Sequence, residues 1–330
     1  MTKLLIAGLG SIGRRHLRNL KSLGESDVVL LRSHRSTLPD EELRGYPVET
    51  DIGQALKRHR PDAVIVTNPT SLHLDVAIPA AEAGCAILLE KPISHSLNGV
   101  DKLRAAMNRN EAPVVVGFQL RYHPGLVRAR GLIADGRLGR VLSSRVHFSE
   151  YLPAWHPWED YKQGYAARSD LGGGVLLTQC HSLDYLPWLV GPVVSAWGYL
   201  AKVSDLDIDV EDSAEIAVQF ADGSPGSLHI DFAQQPSSHR VEIAGSRGSV
   251  SCDLVTGTTR FYDVHTQEWD EQGLPQGWER NAMFVEEMQH FLAVARGNAE
   301  PACTLQDGIR VMHLIAAIQE SNRSGRRVNL

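Results

Sequence analysis

The chain has 330 residues, 33 of them basic and 39 acidic, for a formal net charge of −6, with 43% hydrophobic and 22% charged residues. Single cores stop growing near roughly 250–300 residues, so two domains are expected. The mildly acidic balance gives no electrostatic reason to expect nucleic acid or an anionic membrane, and no apolar run reaches the roughly 18–20 residues that span a bilayer.

The first element is an apolar strand from Lys3 to Ala7, which predicts that no signal peptide precedes it. Gly8-Leu9-Gly10-Ser11-Ile12-Gly13 follows, then a helix from Arg14 to Leu23 that stops at Gly24. Such glycines supply a tight turn, close approach of backbone to a pyrophosphate, and close packing of helix on strand. The free N–H groups and dipole of the helix start then favour phosphate. Arg14, Arg15, Arg18 and Lys21 on that helix read as a solvated face. A second strand, Val28–Leu31, ends in Arg32-Ser33-His34-Arg35. An NAD enzyme usually carries Asp or Glu there to accept from the ribose hydroxyls. Arg32, Ser33 and Arg35 suit a 2′-phosphate instead, so the cofactor is NADP or NAD, with a lean toward NADP.

Strands at Ala63–Thr67, Ala86–Leu89 and Val114–Gly117 continue the strand–helix alternation of a parallel, doubly wound α/β sheet, with helices starting after Ser71 and Ser96. Thr67, Asn68, Pro69 and His73 follow the third of these five strands. Glu90-Lys91-Pro92 follows the fourth, at the carboxyl end where open α/β sheets bind ligands. From about Gln119 the texture changes. Segments 141–150, 193–202, 213–220, 226–232, 239–245 and 248–253 read as antiparallel strands, and helices over 282–296 and 305–321 close the chain. The expected division is a Rossmann dinucleotide-binding domain over 1–118 and an α+β domain with a large, mainly antiparallel open sheet over 119–330. Four scattered cysteines, Cys85, Cys180, Cys252 and Cys303, predict a reduced cytoplasmic protein with neither disulfides nor a structural metal.

In the second half Asp170-Leu171-Gly172-Gly173-Gly174 leads into an apolar-periodic segment containing Thr178, His181, Asp184 and Tyr185. The spacing of Thr178, His181 and Tyr185 puts them on one helical face. Upstream, the loop from Tyr151 to Arg168 is rich in aromatic and polar groups, among them Trp155, Glu159, Tyr165 and Arg168. Aromatic rings pack on the C–H faces of a sugar, and the polar groups offer hydroxyl partners.

The glycine turn, the Val64–His73 segment, Glu90-Lys91-Pro92, Gln119-Leu120-Arg121-Tyr122-His123-Pro124 and the glycine run before His181 together resemble the glucose-fructose oxidoreductase / inositol dehydrogenase family (Gfo/Idh/MocA). The resemblance implies an NAD(P)-dependent oxidoreductase moving hydride between nicotinamide and a secondary alcohol or ketone of a sugar, nucleotide-sugar or cyclitol. It implies Lys91 and His181 as catalytic residues. Cofactor contacts would come from Gly8, Gly10, Ser11, Ile12, Gly13, Arg32, Ser33, Arg35, Thr67, Asn68, Pro69, His73, Glu90, Lys91 and Gln119. Substrate contacts would come from Arg121, Tyr122, Trp155, Glu159, Tyr165, Arg168, Thr178 and Asp184. A homodimer or homotetramer through the second sheet is implied as well, with no nucleic-acid or membrane partner. The family often carries an aspartate where this chain has Thr178 or Leu177, and Asp184 is the nearest other acid. Two alternatives stay open: a dinucleotide sensor without turnover, and a reductase of an imine or double bond.

Overall fold

The computed structural model describes residues 2–33 and 38–330, and they form two compact units. The first comprises residues 1–118, 170–172 and 280–312. Its strands β1 (Leu4–Ala7), β2 (Val28–Leu31), β3 (Val48–Glu49), β4 (Ala63–Val66), β5 (Ala86–Glu90) and β6 (Val114–Gly117) form one sheet in the order β3-β2-β1-β4-β5-β6. All pairings are parallel. Five of these strands are buried at every position, which is why they read as unbroken apolar runs rather than alternating ones.

The connecting helices are α1 (Ser11–Ser22), α2 (Ile52–His59), α3 (His73–Glu82) and α4 (Val100–Asn110). Ser71 and Ser96 do not cap α3 and α4; Leu72 and Gly99 hold the cap positions, without a side-chain bond. The core joins Leu4, Ile6, Leu17, Leu30, Ile65 and Leu88 to residues far along the chain, Met288, Phe291 and Leu292. A division at residue 118 leaves these three to the second domain, whereas they fold with the first unit. Residues 303 and 304 also return to this unit, where Cys303 O accepts from Val116 N–H and Thr304 bridges Val115. That contact covers the edge of β6, which would otherwise present unpaired backbone groups.

The second unit holds residues 119–169, 173–279 and 313–330. In chain order after β6 the remaining elements are α5 (Pro124–Ala134), β7 (Val141–Ser149), α6 (Val175–Thr178), α7 (His181–Val190), β8 (Val193–Ala201), β9 (Ser213–Phe220), β10 (Pro225–Asp231), β11 (Ser238–Gly245), β12 (Gly248–Asp253), β13 (Thr258–Asp263), β14 (Glu268–Gln272), α8 (Asn281–Ala295), α9 (Leu305–Ser324) and β15 (Val328–Asn329), of which α8 and the start of α9 belong to the first unit. Nine strands form one sheet in the order β14-β13-β12-β11-β7-β10-β9-β8-β15, antiparallel except for the β7–β10 pair. Strands such as β9 alternate buried and exposed positions, the signature of a sheet covered on one face. Helices α6 and α7 lie against β9, β10 and β7, while Trp197, Tyr199 and Trp269 are exposed. Among the described residues no helix is long and apolar enough to cross a membrane.

Candidate functional site

The turn from β1 into α1 separates the glycines by what each leaves room for. Gly8 has φ +94°, and a Cβ there would lie 2.5 Å from the Asn68 backbone nitrogen. A Cβ on Gly13 would overlap the Gly8 carbonyl oxygen. These two are glycine because the chain touches itself. Gly10 differs: its φ of −73° suits any residue, it is exposed, and a Cβ there meets nothing within 4 Å among the described residues. It stands as N-cap of α1, whose first turn, with Ser11 and Ile12 half-buried, has backbone donors lacking helical partners. Open space beside the positive dipole end of a helix fits a pyrophosphate. Thr67 braces the turn from β4, its hydroxyl donating to the carbonyls of Ala7 (3.0 Å) and Gly8 (2.7 Å).

The basic row of α1 is not a solvated face. Arg14 is 3% exposed; its Nε donates to Leu9 O at 2.9 Å and its other nitrogens to Pro39 O (2.5 Å) and Leu38 O (3.2 Å). Arg15 lies over the Phe284 ring at 4.4 Å, leaving Arg18 and Lys21 in water. At the end of β2, Arg32 is buried and pairs with Asp40 at 2.9 Å, while Ser33 is exposed. Arg35 and His34 lie outside the described residues. Asp40 is the partner that reading the chain locally missed, because nothing in the spacing links it to Arg32.

Lys91 leaves β5 half-buried, and its surroundings hold its backbone from several sides. Its N–H donates to Glu90 Oε2 at 3.3 Å, and Glu90 Oε1 lies 2.9 Å from His16 Nε2. The Lys91–Pro92 peptide is cis. His73 reaches Pro92 O with Nδ1 (2.9 Å) and Asn68 O with Nε2 (3.0 Å). Burial pushes the His73 pKa down to about 4, so at neutral pH the imidazole is uncharged and donates to one of these carbonyls at a time. Asn68 in turn donates to Leu72 O at 2.7 Å, and Pro69 caps the short turn Thr70–Leu72. Thr67, Asn68 and His73 thus shape the backbone around the β4 and β5 ends.

In the second unit the 3₁₀ turn Gln119–Tyr122 and the start of α7 face each other. Gln119 Nε2 is 3.4 Å from His181 Nε2. Arg121 grips Asp184 in bidentate fashion, Nε to Oδ2 at 2.9 Å and Nη2 to Oδ1 at 2.6 Å. Tyr122 is half-buried beside it. The expected single helical face is broken: α6 ends at Thr178, Gln179 departs from helical geometry, and His181 opens α7. Thr178 is buried, and Tyr185 is wholly buried with its hydroxyl 3.0 Å from His239 Nε2, so Tyr185 belongs to the core. Gly174 is glycine because of Glu211, whose carboxylate a Cβ would overlap and whose Oε1 accepts from Leu176 N–H.

The loop from Tyr151 divides its aromatics. Trp155 packs edge-on against Phe232 at 5.4 Å. Trp158 is 68% exposed, with its indole N–H donating to Glu159 Oε1 at 3.1 Å, and Tyr165 and Arg168 are exposed.

A parallel 3-2-1-4-5-6 sheet with a glycine turn at its first helix defines a dinucleotide-binding fold. A family model described as "Oxidoreductase family, NAD-binding Rossmann fold" matches residues 2–118, and its companion, "Oxidoreductase family, C-terminal alpha/beta domain", matches residues 130–330. The chain belongs to this oxidoreductase family, Gfo/Idh/MocA. Myo-inositol dehydrogenase Hyg17 of Streptomyces leeuwenhoekii is 27% identical over 331 residues, covering 97% of each chain. The 2,7-anhydro-N-acetylneuraminate hydratase of Mediterraneibacter gnavus is 29% identical over 283 residues, 81% of this chain and 73% of that one. Among solved structures, levoglucosan dehydrogenase in complex with NADH shares the fold, with a TM-score of 0.88 at 21% identity over 99% of this chain and 98% of that one.

Proposed function

We propose that this protein is an NAD(P)-dependent dehydrogenase acting on a secondary alcohol or ketone of a sugar, nucleotide-sugar or cyclitol. The open space over Gly10 at the start of α1 carries the reading, since no contact among the described residues requires glycine there. Gly8, Gly10, Ser11, Ile12 and Gly13 would hold the pyrophosphate, and a bound nicotinamide supplies the hydride acceptor or donor. Lys91, its backbone held by Glu90 and the adjoining Pro92 by His73, polarises the substrate oxygen with its ammonium group. His181 takes or returns the hydroxyl proton. Gln119, whose amide faces His181 Nε2, orients that ring. Trp158, Tyr165 and Arg168 are exposed on their loop, as a sugar-facing surface requires.

The cofactor preference belongs to the same proposal. Arg32 places positive charge at the end of β2, where Asp40 offsets part of it, and we favour NADP. A charge-assisted hydrogen bond contributes about 1.5–3 kcal/mol, so NADPH binds about tenfold tighter than NADH in a fluorescence titration; equal or tighter NADH binding refutes the preference. The proposal also includes a cytoplasmic setting and assembly through the uncovered face of the nine-stranded sheet, where Trp197 and Tyr199 are exposed. Turnover of either cofactor with a panel of sugars, nucleotide-sugars and cyclitols tests the activity. Tight cofactor binding with no turnover of any alcohol or ketone would instead identify a sensor.

A further inference from the structure

Behind the Glu90–Lys91 turn, three ionisable side chains from distant parts of the first unit meet in a space closed to water. His16 of α1 is 0% exposed, Glu90 of β5 is 7% and Glu287 of α8 is 1%. One ligand atom from each lies within 4.8 Å of the other two. Glu90 is well supplied with donors, His16 Nε2 on Oε1 and the Lys91 amide on Oε2. Both oxygens of Glu287 are buried, and among the described residues no donor reaches either of them. Two carboxylates this close and out of water do not both stay charged. The proton belongs on the member that has no donors, which is Glu287.

We propose that Glu287 is a neutral acid sharing its proton with the Glu90 carboxylate, a buried cluster with His16 that acts as a positioning device for Lys91. Burial and the neighbouring Glu90 charge push the Glu287 pKa well above the usual carboxylate value. Burial works to raise Glu90 too, but the His16 hydrogen bond and the charges of His16 and Lys91 outweigh it and hold Glu90 below its usual value. The ionisable groups around the cluster are Arg15 and His16 from α1 and Lys91 at the end of β5, while Arg280, ahead of α8, bears on Arg15; His73 of α3 also senses the Glu90 charge. Gly117 of β6 completes the packing, since a Cβ there would press on the Glu90 carboxyl carbon at 3.2 Å. With Glu287 neutral, Glu90 is a single charge held in place, and its second oxygen fixes the Lys91 backbone. Ionisation of Glu287 puts a second negative charge against it and displaces the turn.

The positioning role rests on the reading of Lys91 as catalytic; the shared proton does not. Full-length protein, Glu287→Gln and Glu287→Met are compared by unfolding against pH and by steady-state kinetics. The folded wild type keeps a proton that the unfolded chain has lost, so this group makes stability fall as pH rises above the usual carboxylate range, until Glu287 itself ionises. Glu287→Gln removes that slope by one proton, and Glu287→Met folds because apolar replacement of a buried ionisable group is tolerated. The Gln amide still donates to Glu90, so kcat stays within about threefold and its alkaline decline moves to higher pH. Met offers no donor, and kcat falls about tenfold or more with cofactor KM unchanged, the loss of one charge-assisted hydrogen bond. An unchanged pH slope in Glu287→Gln overturns the shared proton, as does stoichiometric metal in the wild type that is lost in the variant. An unchanged kcat in Glu287→Met overturns the positioning role. A one-proton slope change in a protein without turnover supports the cluster and refutes the dehydrogenase reading separately.

Discussion

Asp184 and Arg121 are the pair whose loss the structure lets one weigh most directly. Their side chains are 3% and 9% exposed and joined by two hydrogen bonds, so neither charge has water to fall back on. Removing one partner of a buried pair costs about 3–5 kcal/mol, chiefly because the other charge is stranded. Asp184→Ala should therefore lower the unfolding free energy by about 3 kcal/mol or more, a large part of the roughly 5–15 kcal/mol that holds a protein together. Asp184→Asn keeps one acceptor and costs less, about 1.5–3 kcal/mol. The double variant Arg121→Met/Asp184→Leu removes both charges and should recover most of the loss. The pair also ties α7, which begins at His181, to the turn from which Gln119 reaches that histidine, so kcat should fall alongside stability in Asp184→Asn. Urea unfolding and steady-state kinetics on the four proteins measure both effects. Unchanged stability with a substrate KM raised tenfold would refute the reasoning, because it would mean that the two side chains serve the substrate rather than each other.

Lys91→Ala should leave cofactor affinity within a few-fold and lower turnover by about 10²–10⁴; near-normal turnover refutes its assignment. Gly10→Ala should fold with normal stability and lose dinucleotide affinity in an equilibrium titration, whereas Gly13→Ala should be destabilised; similar stability losses in both would show that Gly10 also serves the chain's own packing. Thr178→Asp introduces a negative charge three residues before His181, and a negative charge beside the ring stabilises the imidazolium. With Asp184 already neutralised by Arg121, the rising limb of kcat/KM in the oxidative direction should move to higher pH, and a limb that stays put points to a base other than His181.

How much of this was legible along the chain depends on how far apart the interacting residues lie. The apolar runs of β1, β4 and β5 announce strands because both their faces are buried, and Gly8 and Gly13 announce the turn because the backbone there requires glycine, with Gly10 completing the spacing. Strand β14 is exposed at every position and carries no alternation to read, so it escaped notice. β13 alternates only briefly, and β3 and β15 span two residues each. The periodicity of α8 marks an apolar face without saying what covers it, which is why Met288, Phe291 and Glu287 could not be placed against β5 and α1. Spacing within 178–185 suggested one helix, but the break at Gln179 has neither proline nor glycine to signal it. The pairings Arg32–Asp40 and Arg121–Asp184 give expected ligand-contact residues partners within the protein, and only three dimensions reveal that.

The return of residues 280–312 to the first unit sets the order in which this protein can be built. A ribosome that has released residues 1–118 must add the intervening 119–279 before Met288, Phe291 and Leu292 exist, a delay of roughly ten to thirty seconds at about 5–20 residues per second. Through that interval the half-made sheet shows a bare apolar flank, and β6 an edge awaiting Cys303 and Thr304. The nascent chain is then most exposed to misassembly and most in need of a holding chaperone.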